Sequence, residues 1–219
     1  MPGYSKAEDL PRVLPVFPLD GALLLPGGRL PLNIFEPRYL NMIDDALSGE
    51  RLIGMIQTRA GGPREHPALA PVGCAGRITA FSETDDGRYL ITLTGVCRFK
   101  AGEELPVQTP YRQVRPNFEA YESDLAPADA GALLDRTMFF DVLKAYLDCK
   151  GLEIDWESAR QAPPDALINS LAIGLPFDAA EKQALLEAYS LADRRDALIA
   201  LLQIDAAAID PDDEPSSLQ

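Results

Sequence analysis

The residues able to do chemistry in this chain are few and scattered. There is one histidine, His66, and there are three cysteines, Cys74, Cys97 and Cys149. Hydrolysis needs a nucleophile beside a base, or a metal. His66 lies in a Gly/Pro-rich stretch, RAGGPREHPALAP over residues 59–71, and no G-x-S-x-G elbow accompanies it. It reads as a solvated loop residue. Neither H-E-x-x-H nor a Cys/His ligand spacing occurs, so no metal and no cofactor is expected. The cysteines are odd in number, widely spaced and without a C-x-x-C pair. They read as small buried thiols of a reducing compartment, with Cys74 and Cys97 serving as apolar residues in strands. The acidic pairs Asp44-Asp45, Asp85-Asp86 and Asp212-Asp213 are neighbours in sequence. They suit turns and solvated faces better than acid/base work.

Binding chemistry is better represented. Phe35, Glu36, Arg38 and Tyr39 fall together where a strand gives way to a helix. One reading makes them a recognition edge. The other makes Glu36 a helix-start acceptor, pairs Arg38 with a carboxylate and packs the Tyr39 ring. Leu23, Leu24 and Leu25 sit between two turn signals. They either enter the core or form an apolar surface fit for a protein partner. Phe118 and Tyr121, at the junction of two differently patterned halves, either line a groove or pack the halves together. Arg98, in a strand, is expected to pair with a carboxylate.

Composition narrows the classes. The chain has 219 residues, 47% hydrophobic and 25% charged, as soluble globular proteins do. No apolar run approaches membrane-spanning length and the N-terminus lacks an apolar signal core, so a cytoplasmic location is expected. The net charge of -14 opposes nucleic acid and anionic membranes. It favours solubility, and suits a basic or unfolded protein partner.

The elements that position these residues fall into two halves. Before Pro116 the pattern is mostly β. Residues 13–17 form a short strand whose prolines suggest an edge or the start of a strand. Leu30–Phe35 is a second strand, and Glu36-Pro37 opens a helix that Gly49 ends. Leu52–Ile56 reads as a buried strand. Val72–Ser82 and Arg88–Lys100 form a hairpin around Asp86-Gly87, with a bulge at Gly95. A last strand is placed at Val107–Val114. Beyond Pro116 the period is helical. The spacing predicts a helix over Pro127–Cys149, with apolar Leu133, Leu134, Met138, Phe140, Leu143 and Leu147. A second runs from Pro164 to Ile173. A third is capped by Asp178 and Glu181, and a fourth starts at Ser190 with Asp193 and ends near Asp205. Leu191, Leu198 and Leu202 share one face of that helix. The domains are thus read as 10–116, 117–206 and an acidic disordered tail, 207–219.

Four segments resemble the N-terminal substrate-binding domain family of Lon proteases. They are Leu14–Asp20 with Pro26-Gly27; Ile34-Phe35-Glu36-Pro37-Arg38-Tyr39, similar to the IFEPRY signature of stand-alone bacterial members; Val72-Gly73, Asp86-Gly87 and Gly95-Val96-Cys97-Arg98-Phe99; and Glu181–Glu187 with Arg194–Leu198. The resemblance covers about residues 10–205. It implies an α+β fold, a small twisted PUA-like β-barrel with one inserted helix, followed by a helical subdomain. It also implies recognition of unfolded or partner protein segments, a Lon protease among the partners. Lon enzymes continue into an ATPase and a protease. The 219 residues contain no G-x-x-x-x-G-K-[ST] loop and no Ser-Lys dyad context. The expectation is therefore a non-catalytic binding module, an adaptor or modulator of proteolysis. A cryptic hydrolase and a PUA-like nucleic-acid binder are the alternatives. The single histidine argues against the first and the acidic charge against the second.

Overall fold

The computed structural model describes residues 4–126 and 134–207. Six strands form one mixed sheet: β1 Leu14–Pro18, β2 Arg29–Ile34, β3 Leu52–Arg59, β4 Ala68–Glu83, β5 Tyr89–Glu104 and β6 Arg112–Asn117. Their order is β2-β5-β4-β3-β1-β6, and β6 also pairs with β5, so the pairings return on themselves. Only β1 with β3 is parallel; the other strand pairs are antiparallel. One helix, α1 Pro37–Ser48, is inserted between β2 and β3. After β6 come a 3-10 segment, Glu119–Leu125, and five helices: α2 Arg136–Lys150, α3 Trp156–Gln161, α4 Pro164–Gly174, α5 Ala179–Glu187 and α6 Leu191–Ala207.

Local chemistry explains most of these boundaries. Gly87 takes φ 78° at the β4–β5 turn, a conformation open to glycine at no steric cost. Gly95 faces Gly76 while Cys97 faces Ala75, so Val96 is the extra residue of a bulge. A Cβ on Gly95 would lie 2.0 Å from the Leu25 carbonyl oxygen, which is why the chain can pass so close there. Asp178 and Glu181 form a reciprocal capping box on α5. Ser190 and Asp193 exchange the same bonds at the start of α6.

Several expectations are corrected. β1 is not an edge strand but lies between β3 and β6. It makes three residue pairs on each side, and the Leu19 N–H donates to the Ile56 carbonyl just beyond Pro18, so its prolines interrupt little. β6 begins at Arg112 rather than Val107. α2 begins at Arg136 behind an Asp135 cap, not at Pro127; residues 127–133, Leu133 included, lie outside the described residues. Its buried face is Phe139, Leu143, Tyr146 and Leu147, whereas Met138 is exposed and Phe140 half-buried. The short helix α3, capped by Asp155, has no counterpart in the sequence reading. Ala207 closes α6, and the rest of the expected tail lies outside the described residues.

The core is continuous across both halves. Val16, Ile53, Ile91 and Phe99 bury the inner side of the sheet. Phe139 and Leu143 of α2, Leu167 and Ile168 of α4, and Leu198 and Leu202 of α6 join the helices to it.

Candidate recognition surface

The corner between β2 and α1 brings four of the sequence candidates together. The Glu36 carbonyl accepts the first helical N–H groups, from Tyr39 and Leu40. Its side chain does not cap the helix as expected. It accepts from Arg38 Nε at 2.9 Å and pairs with Nη2 at 2.7 Å. The Arg38 guanidinium lies 4.6 Å from the Tyr39 ring centroid. Tyr39 is buried, tilted against Phe17 at 4.2 Å. Phe35 points the other way and is 65% exposed.

Exposed apolar surface continues from Phe35 along the outer face of β2. Asn33 pairs with Leu90 and Pro31 with Thr92, so strand alternation sets these side chains on one face. Leu90 is 46% exposed. A shallow groove of about 500 Å³ runs here, lined by Pro31, Asn33, Ser82, Leu90 and Thr92 among others. β2 pairs only with β5, which leaves its other edge without a strand partner among the described residues.

The other sequence candidates are internal. Leu23, Leu24 and Leu25 are at most 1% exposed, and so belong to the core, not to a surface. The Pro26-Gly27-Gly28 turn folds them onto the sheet, where the Gly27 N–H donates to the Gly95 carbonyl and the Gly95 N–H to the Gly28 carbonyl. Full burial of each leucine is worth about 1.5–3 kcal/mol, which outweighs any gain from display. Phe118 and Tyr121 are likewise buried. Phe118 stands edge-on to Phe99, and Tyr121 lies under the Arg98 guanidinium at 4.3 Å.

Arg98 is the fastening between the halves. It is 2% exposed, and it meets Asp124 through Nε and Nη2, both at 2.8 Å. Its remaining donors reach the carbonyls at the C-terminal end of α5: Leu186 at 3.1 Å, Ala188, and Tyr189 at 3.1 Å. Burial alone would lower its pKa; the Asp124 bonds and charge outweigh that and raise it. The pairing with a carboxylate is as expected. Around it runs a polar seam that sequence reasoning missed. Buried Gln57 of β3 accepts from the Gly21 N–H and donates to Ala179 O and Gln183 Oε1. Lys182 Nζ donates to Gly21 O at 2.8 Å, and Asn169 Nδ2 to Pro26 O at 3.1 Å. Gln57 at the end of the apolar run of β3 and Asn169 within the apolar stretch of α4 were the available signal.

Nucleophiles are poorly placed. Burial pushes the Cys97 thiol up to about 12 and raises Cys74 further. His66 is exposed but pairs with Glu104 at 3.0 Å. Glu104 also accepts from Arg112, whose hydrogen bonds hold its carboxyl below the usual range. Among the described residues, no group of three or more His, Cys, Asp or Glu could hold a metal ion. No described helix is long and apolar enough to cross a membrane.

A family model, the ATP-dependent protease La (LON) substrate-binding domain, matches residues 13–203. Lon protease 2 of Myxococcus xanthus is 27% identical over 207 residues, covering 92% of this chain. Lon protease of Anaeromyxobacter dehalogenans is 29% identical over 209 residues, again covering 92%. The chain spans about a quarter, 24%, of the length of each. A crystal structure of a Lon N-terminal domain protein from Xanthomonas campestris superposes with a TM-score of 0.62 at 23% identity, covering 86% of this chain and 97% of that one. The N-terminal domain of a Mycobacterium avium complex Lon protease gives 0.60 at 18% identity, covering 88% and 98%. At such identities the two structures establish the shared fold of mixed sheet and helices.

Proposed function

The chain belongs to the Lon substrate-binding domain family, and from that premise we propose that it is a non-catalytic recognition module for exposed apolar segments of unfolded or partner proteins. The family match over residues 13–203 carries this reading. We take the returning strand pairing as the small PUA-like barrel that the resemblance implies. The contact face in this reading is the outer side of β2 with Phe35 and Leu90. An apolar segment would cover Phe35 and add its backbone to the free β2 edge, where main-chain hydrogen bonds give affinity independent of sequence. The net charge of -14 favours basic clients and disfavours nucleic acid. The adaptor or modulator role toward a Lon protease, and a cytoplasmic location, belong to the same proposal.

The test uses labelled lysozyme, a basic protein, in two states. Reduced, alkylated lysozyme is titrated against the folded protein by fluorescence anisotropy. Saturable binding of the unfolded form alone is expected. Phe35→Ser combined with Leu90→Ser should weaken it by about tenfold or more, since both apolar contacts are lost while the net charge stays the same. Equal binding of folded and unfolded lysozyme, or none of either, would overturn the proposal.

A further inference from the structure

An edge strand offers its backbone to a newcomer only at alternate residues, and in β2 the hydrogen bonds settle which ones. The Gly95 N–H donates to the Gly28 carbonyl, in line with the register that pairs Arg29 with Thr94 and Ile34 with Tyr89. Leu30, Leu32 and Ile34 therefore turn their N–H and C=O groups toward β5. The far side of β5 agrees. The Thr84 N–H donates to the Arg88 carbonyl, and in the same register Ser82 faces Leu90 and Ala80 faces Thr92. Leu90 and Thr92 thus spend their backbone groups on β4, which leaves those of Tyr89, Ile91 and Leu93 for β2.

The outward residues of β2 are then Arg29, Pro31 and Asn33, all three exposed. No described loop bonds to their backbone groups. Arg29 and Asn33 each present a donor and an acceptor. Pro31, between them, has a carbonyl and no N–H. An antiparallel segment with an N–H at each facing position can still make most of the ladder: three bonds to the carbonyls and two from the donors. A second copy of this chain does worse. Two β2 strands related by a two-fold axis at Pro31 set the Arg29 of each against the Asn33 of the other and bring two Pro31 carbonyls face to face with no hydrogen between them. Shifting that pairing by two residues sets Pro31 against Arg29 or Asn33 and leaves only two bonds within β2. The net charge of -14 on each copy adds repulsion that a basic client does not meet.

We propose that Pro31 sets the specificity of this edge: it keeps β2 from pairing with a second copy and leaves it open to an extended segment of an unfolded protein. On the recognition reading, on which this rests, the client carries no proline at the positions that face Arg29, Pro31 and Asn33. Prolines at the intervening positions are tolerated, because the backbone groups there point away from β2.

Pro31→Thr restores the missing donor without adding apolar surface. Sedimentation velocity and amide hydrogen exchange are run on this variant and on the wild type over a range of concentrations, at high salt so that repulsion between copies is screened. The variant is expected to self-associate with new protection over Arg29–Ile34, and the wild type to gain none there. A variant that stays monomeric, or associates with β2 unprotected, would overturn the proposal, as would a wild type whose β2 is protected as concentration rises. Asn33→Pro, compared with Asn33→Ala, is the second measurement. It removes an outward donor and no bond to β5, so it should fold like Asn33→Ala and bind reduced, alkylated lysozyme about two- to tenfold more weakly, the size of one hydrogen bond. Equal binding by the two would also count as refutation. If unfolded lysozyme bound the wild type while Pro31→Thr stayed monomeric, the recognition reading would stand without this role for Pro31. If it did not bind while Pro31→Thr paired through β2, the recognition reading alone would fall.

Discussion

Arg98 and Arg194 occupy the same junction and are nearly equally buried, yet their surroundings differ. Arg98 spends its donors on Asp124 and on the carbonyls that end α5. Arg194 meets one carbonyl and one amide oxygen and keeps Nη2 without a partner among the described residues. A buried charge that is fully paired is a fastening. A buried charge left partly unpaired is a cost that its neighbours do not fully offset. The pair therefore separates a buried charge that fastens the halves from one that the fold pairs only in part.

Four substitutions break or sharpen that contrast. Arg98→Met should be the most damaging, costing about 3–5 kcal/mol, because it strands the buried Asp124 carboxylate and frees the α5 carbonyls. Urea unfolding monitored by circular dichroism would read it. Gly95→Ala follows, at about 1–3 kcal/mol, since its Cβ would drive into the Leu25 backbone rather than a yielding side chain. That change tests packing on the sheet side without touching charge. Arg194→Met should cost only about 1–2 kcal/mol, as two lost hydrogen bonds are offset by relief of an unpaired buried charge. A loss equal to that of Arg98→Met would erase the distinction between the two arginines. Phe35→Asp should change stability by less than about 0.5 kcal/mol, because the ring is largely in water already. Its effect belongs to client binding, and a large drop in thermal midpoint would show that Phe35 is structural.

Much of this frame was legible from local chemistry. The capping pairs Asp178–Glu181 and Ser190–Asp193 announced α5 and α6, and Asp86-Gly87 announced the long hairpin. These signals lie within a few residues of what they control. What was missed depends on partners far along the chain. Pro15 looked like an edge residue because the parallel pairing of β1 with β3, about 38 residues on, leaves no local trace. Leu23–Leu25 had two readings until Gly95 fixed the turn beneath them. Arg98 was expected to find a carboxylate, but that it is Asp124, and that α5 supplies the carbonyls, follows only from the fold. Gln57, Asn169 and Arg194 passed as ordinary polar residues on helices and strands. Their importance comes from burial, which one sequence does not display. α3 escaped because six residues hold too little periodicity to register.

The most direct measurement of recognition is amide hydrogen exchange by mass spectrometry, on the free chain and with saturating reduced, alkylated lysozyme. Recognition on the outer face of the sheet predicts new protection in β2, over Arg29–Ile34, and around Leu90, with the α2–α6 core unchanged. Exchange unaltered along β2 while the unfolded lysozyme is bound would contradict it.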